Sequence, residues 1–138
     1  MTCLEDPALR ASDLSPAAQQ ALHDALLRRS LGAFIARAFE TVSPGDEFAP
    51  NWHLDAMTHL LARVAKGECR RAIITVPPRN LKSISASVGL VAWMLGRDPT
   101  ARIICVSYSD DLARKHANDT RAVMDSAWYK RAFPETRI

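Results

Sequence analysis

No stretch of this sequence approaches the 18 apolar residues of a membrane-crossing helix, and the N-terminus lacks a basic-then-apolar signal layout. Both absences predict a soluble protein that stays inside the cell, with no membrane partner. Thiols are scarce. Cys3, Cys69 and Cys105 show neither a CxxC pair nor metal-ligand spacing, and an odd, sparse set of this kind fits a reducing cytosol. Cys105 lies within an apolar run and reads as a small core residue. No internal repeat and no low-complexity segment is present.

What is there suits one globular domain: 138 residues, 48% apolar and 24% charged. The net charge of +3 is unevenly placed. Residues 1–69 carry six Lys/Arg against nine Asp/Glu, whereas residues 70–138 carry twelve against six. A basic second half fits an anionic ligand, nucleotide or nucleic acid, and equally fits a solvated basic surface.

Residues 1–13 show no periodicity and read as a loose terminus. Ser15-Pro16 is a helix start, and Leu27, Leu31, Phe34, Ile35, Ala38 and Val42 recur at helical spacing. They predict one amphipathic helix to about Thr41; Arg28, Arg29 and Arg37 lie off that stripe, where they fit a contact to DNA or a partner or, more simply, a solvated face. A second helix is expected from Trp52 to Lys66, stopped by Gly67. The β-branched run Ala72–Val76 reads as a strand buried on both faces, and Ile103–Ser107 as another. A helix carried by Ile84, Val88, Val91, Ala92 and Leu95 lies between them. Its small residues Ser85, Ala86, Ser87 and Gly89 would let it lie close to a sheet. Strand, helix and strand then predict a right-handed parallel βαβ unit. A further helix starts at Ser109 with Asp110 and Asp111 in its first turn, where they serve the helix dipole better than they would serve Mg²⁺. Trp128, Tyr129 and Phe133 read as a closing turn.

Between the expected strand and helix stands Pro77-Pro78-Arg79-Asn80-Leu81-Lys82-Ser83. A strand, a tight turn closing on Lys-Ser and a helix form the layout of a phosphate-binding loop. Pro77-Pro78 cannot extend a ladder, so the chain must turn there. Asn80 to Ser83 would meet a phosphate with unpaired N–H groups and the helix dipole. Lys82 would sit on the β/γ oxygens and the Ser83 hydroxyl on Mg²⁺. Both glycines of the general pattern are replaced, by Val76 and Leu81. If Leu81 needs positive φ, the strain is about 1–2 kcal/mol.

This loop resembles the divergent Walker A motif of bacteriophage terminase large subunits. Asn51-Trp52-His53, Gly67-Glu68-Cys69-Arg70-Arg71 and Leu95-Gly96-Arg97-Asp98-Pro99 share the resemblance. So do Ser107-Tyr108-Ser109-Asp110-Asp111-Leu112-Ala113 and the Trp128-Tyr129…Phe133-Pro134 ending. It covers residues 45 to 138. It implies an α/β P-loop core, incomplete here with two parallel strands, with a helical region over 1–45 and the start of an ATPase domain over 46–138. It implies ATP and Mg²⁺ as ligands, held by Pro78, Arg79, Asn80, Leu81, Lys82 and Ser83, with Arg79 on the γ-phosphate. Trp52 is a candidate adenine contact or a core residue, and His53 is structural. The implied partners are double-stranded DNA, bound weakly and without sequence preference, a small terminase subunit and a portal protein, in the cytoplasm of a bacterial host.

Walker B and the nuclease carboxylates would lie beyond Ile138. The chain is therefore expected to be the N-terminal piece of a terminase, from a truncated gene or a prophage remnant, with no turnover by itself. Two other readings stay open: a non-catalytic remnant or interaction module, and another P-loop ATPase of helicase-like type.

Overall fold

Phe34 stands at the centre of the molecule, edge-on to three rings at once: Trp128 at 5.3 Å, Phe133 at 5.9 Å and Tyr129 at 6.1 Å. This edge-to-face geometry sets the positive rim of one ring against the negative face of another. The computed structural model describes residues 14–136. The described α-helices are α1 (Pro16–Arg29), α2 (Leu31–Val42), α3 (Trp52–Ala65), α4 (Leu90–Arg97), α5 (Asp110–Asp125) and α6 (Ala127–Ala132). A π-helical segment, Ile84–Gly89, runs directly into α4. The central helix is α2, which touches α1, α3, the π segment, α4 and α5.

The expected α/β fold is wrong: among the described residues there is no strand and no sheet. Residues 72–76 and 102–107 form no regular structure, and their backbones make no backbone–backbone hydrogen bond among the described residues. Their apolar side chains are not buried on both faces either. Ile73, Ile104 and Val106 are about nine-tenths exposed, and so is Tyr108 just beyond. β-Branched residues favour a pleated backbone, but a strand exists only where a neighbour lies within about 4.8 Å to accept and donate. Among the described residues neither segment has that neighbour, so they form no βαβ unit. Cys105, expected in a core, is exposed for the same reason. Cys3 lies outside the described residues.

The core is helical instead. Ser85, Val88 and Gly89 of the π segment are buried with Ala92 and Trp93 of α4. The small face expected to rest on a sheet rests on α2: a Cβ on Gly89 would come within 2.7 Å of Ile35 Cγ1. Polar handles tie the rings down. The Trp93 indole donates to the Leu27 carbonyl (3.0 Å), the Tyr129 hydroxyl to the Ala92 carbonyl (2.8 Å) and the Trp128 indole to Thr41 Oγ1 (3.1 Å).

The single N-terminal helix is two. Ser30 ends α1 by donating its N–H to the Leu26 carbonyl and starts α2 by accepting the Ala33 N–H on its hydroxyl. A serine that can satisfy both ends makes a break cheap, and Leu27 and Leu31 are buried on either side of it. α6 returns to α1, where Arg131 pairs with the buried Asp24 at 3.1 Å. No helix among the described residues is long and apolar enough to cross a membrane.

Candidate phosphate-binding loop

Two consecutive kinks shape the loop. Arg79 has φ 65° and Leu81 φ 54°, the left-handed region that glycine enters most easily. Asn80, between them, folds its side-chain amide back onto the carbonyls of Pro77 (3.1 Å) and Pro78 (3.2 Å), which braces the turn from within. The Leu81 side chain is partly buried against the core, so the loop is anchored at its apolar residue. The Leu81 carbonyl then accepts the Ser85 N–H at 2.8 Å, and the chain has entered the helix.

Lys82 and Ser83 therefore stand on the first helical turn, both exposed. The N–H groups of Lys82, Ser83 and Ile84 have no backbone partner among the described residues, as expected of a helix start. Neither Arg79 nor Lys82 is in an ion pair among the described residues. Two free cations and the positive end of a helix thus share a short exposed segment.

Lys82 and Ser83 open onto a cavity of about 380 Å³. Leu61 and Val64 of α3, Ala72, Ile74, Ala86 and Ser87 form its walls. Sequence reasoning missed these walls, because nothing in the spacing says that α3 lies against the loop. Trp52 is not among them. Nine residues separate it from Leu61 on the same helix, about 13 Å along the axis. Its ring is 77% exposed and lies edge-on to His53 at 6.3 Å. Of the expected ligands only Lys82 and Ser83 line the cavity; Pro78, Arg79, Asn80 and Leu81 are not among its walls, and Trp52 stands apart, exposed on α3.

No carboxylate lines the cavity, and no group of three His, Cys, Asp or Glu among the described residues is placed to hold a metal. A Mg²⁺ site ordinarily combines one or two carboxylates with substrate phosphates. Ser83 offers a hydroxyl alone, so the ion could come only with the phosphates. Asp110 and Asp111 lie in the first turn of α5, with Asp110 paired to Arg114 at 2.8 Å.

Arg28 and Arg37 are not merely part of a solvated face. Arg28 donates to the Ala132 carbonyl at 3.1 Å, and Arg37 lies 5.9 Å from the Trp128 ring centre while pairing with Glu40. No protein-family model, no curated protein and no solved structure matches this chain.

Proposed function

We propose that the 77–83 loop binds the phosphates of ATP, and that the chain is a nucleotide-binding part of a terminase-like DNA-packaging protein. The observation that carries this reading is the pair of left-handed residues, Arg79 and Leu81, which deliver Lys82 and Ser83 unpaired to a helix start. Backbone strain of this kind costs about 1–3 kcal/mol per residue and persists where the surroundings enforce it, commonly at ligand sites. The backbone N–H groups meet the anion, Lys82 adds a point charge, and the Arg79 fork grips two oxygens of the terminal phosphate. The Ser83 hydroxyl would be the one protein ligand here for a Mg²⁺ brought by the nucleotide.

Double-stranded DNA is the second ligand of this reading, held weakly by the basic half of the chain and released as salt rises. Turnover is not part of it. Phosphoryl transfer needs an acid beside the metal and a group that aims the attacking water, and no acid lines the cavity. The test is a thermal melt of the full chain with Mg-ATP. Stabilisation of about 1.4 kcal/mol is expected when ligand stands tenfold above its Kd. Lys82→Ala should abolish it, and no shift at millimolar ATP would sink the proposal.

A further inference from the structure

Residues 102–108 present a row of apolar side chains and an unpaired backbone to solvent. Ile104, Val106 and Tyr108 follow at alternate positions, each about nine-tenths exposed. Paired in extended form, alternate residues would share a face, with Tyr108 at the bend that leads into α5. Beneath the segment lies a cavity of about 600 Å³, between it and α4 and α5, lined by Val91, Leu95, Ala117 and Met124 among others. The segment is therefore held off the helices rather than sealed onto them. An unpaired apolar edge of this kind is a template for another chain.

We propose that this edge pairs with the same edge of a second copy, antiparallel and centred on Cys105, to make a two-fold dimer. The register is set by the residues themselves. With Cys105 opposite Cys105, Ile104 comes opposite Val106, Ile103 opposite Ser107 and Arg102 opposite Tyr108. The two branched aliphatics then meet as a cross-strand pair, twice over. Arg102, which has no ion pair among the described residues, reaches the other copy's Tyr108 and the first turn of α5 that follows, where Asp111 has no ion pair among the described residues while Asp110 is held by Arg114. The segment is basic at its start and acidic just past its end, so an antiparallel copy is complementary in charge. A parallel copy would set Arg102 against Arg102. A two-fold interface needs this self-complementarity. The dimer satisfies backbone groups that the monomer leaves to water, and it is independent of nucleotide binding.

Three measurements on the full chain decide the matter. Sedimentation velocity over a hundredfold range of concentration should show the mass doubling. Ile104→Lys with Val106→Lys should weaken association at least about tenfold, since it sets four lysines together across the dyad. Both positions are exposed in the monomer, so an unchanged helical circular dichroism spectrum confirms that the variant folds. Mild oxidation with copper phenanthroline should link two copies through Cys105, the thiols losing two electrons to the oxidant and two protons to buffer. Cys105→Ser should remove that link. A wild-type chain that stays monomeric overturns the proposal, as does a dimer indifferent to the lysine pair and to Cys105→Ser. So does a monomer whose 102–108 amides become protected from exchange only on adding an unrelated apolar, acid-flanked peptide, for that would make the edge a site for a foreign strand.

Discussion

Gly96 lies flat against the ring of Phe133: a Cβ on the glycine would stand 2.7 Å from two of the ring carbons. The ring cannot easily move, because Phe133 is buried and packed against Phe34 and Tyr129. Gly96→Ala should therefore cost about 1–3 kcal/mol in overpacking, despite the gain in helix propensity. Gly32→Ala is the control. Its nearest neighbour would lie at 3.7 Å, and the change should be neutral or favourable by about 0.5–1 kcal/mol. Urea midpoints that fall for the first and not the second would bear this out.

Ser85 is fully buried and its hydroxyl has no partner among the described residues. Ser85→Ala removes a desolvated polar group without opening a large cavity. It should stabilise the fold by about 1 kcal/mol, read as a higher urea midpoint at unchanged slope. Loss of stability would mean that the hydroxyl is satisfied in solution.

Arg79→Gly separates fold from ligand. Glycine relieves the left-handed strain at φ 65° but loosens the unfolded chain, and the balance should be a gain of up to about 1 kcal/mol. The same substitution deletes the guanidinium, so stabilisation by Mg-ATP should fall. A variant more stable alone yet less responsive to ATP is the expected pattern, and thermal melts with and without nucleotide read both halves.

Burial pushes the Tyr129 phenol up to about 12, against about 10 in an unfolded chain. The raised value means that the folded state favours the neutral phenol. Its contribution is whole below pH 10 and is lost as pH climbs toward 12. Denaturation at stepped pH should show the native chain losing stability over that window more steeply than Tyr129→Phe. The variant should start about 1 kcal/mol lower, because the Ala92 carbonyl loses its donor.

Where a local rule sufficed, the sequence was readable. Ser15 and Pro16 start α1, Ser109 caps α5 through the Leu112 N–H, and Gly67 follows α3 with φ 76°. The loop was readable as a loop because Pro77 and Pro78 forbid any continuation. Ser30 escaped notice because the apolar stripe runs straight across it, and only its hydroxyl marks the break. The runs around Ile74 and Ile104 misled for a deeper reason. Helix periodicity reports a structure that satisfies its own backbone, whereas a strand's partner lies elsewhere in the chain or outside it. Trp52 was likewise beyond reach, since its separation from Lys82 depends on how α3 lies across the core.

The ring cluster around Phe34 also sets a timetable. Phe34 is synthesised 94 to 99 residues ahead of the three rings that enclose it, at positions 128, 129 and 133. At ribosomal speeds of about 5–20 residues per second, α2 waits about 5–20 s for its cover. Until α3 and the π segment arrive α1 and α2 carry bare leucine, isoleucine and phenylalanine, Phe34 for longest, and a chaperone that grips such helices would meet them in every nascent chain.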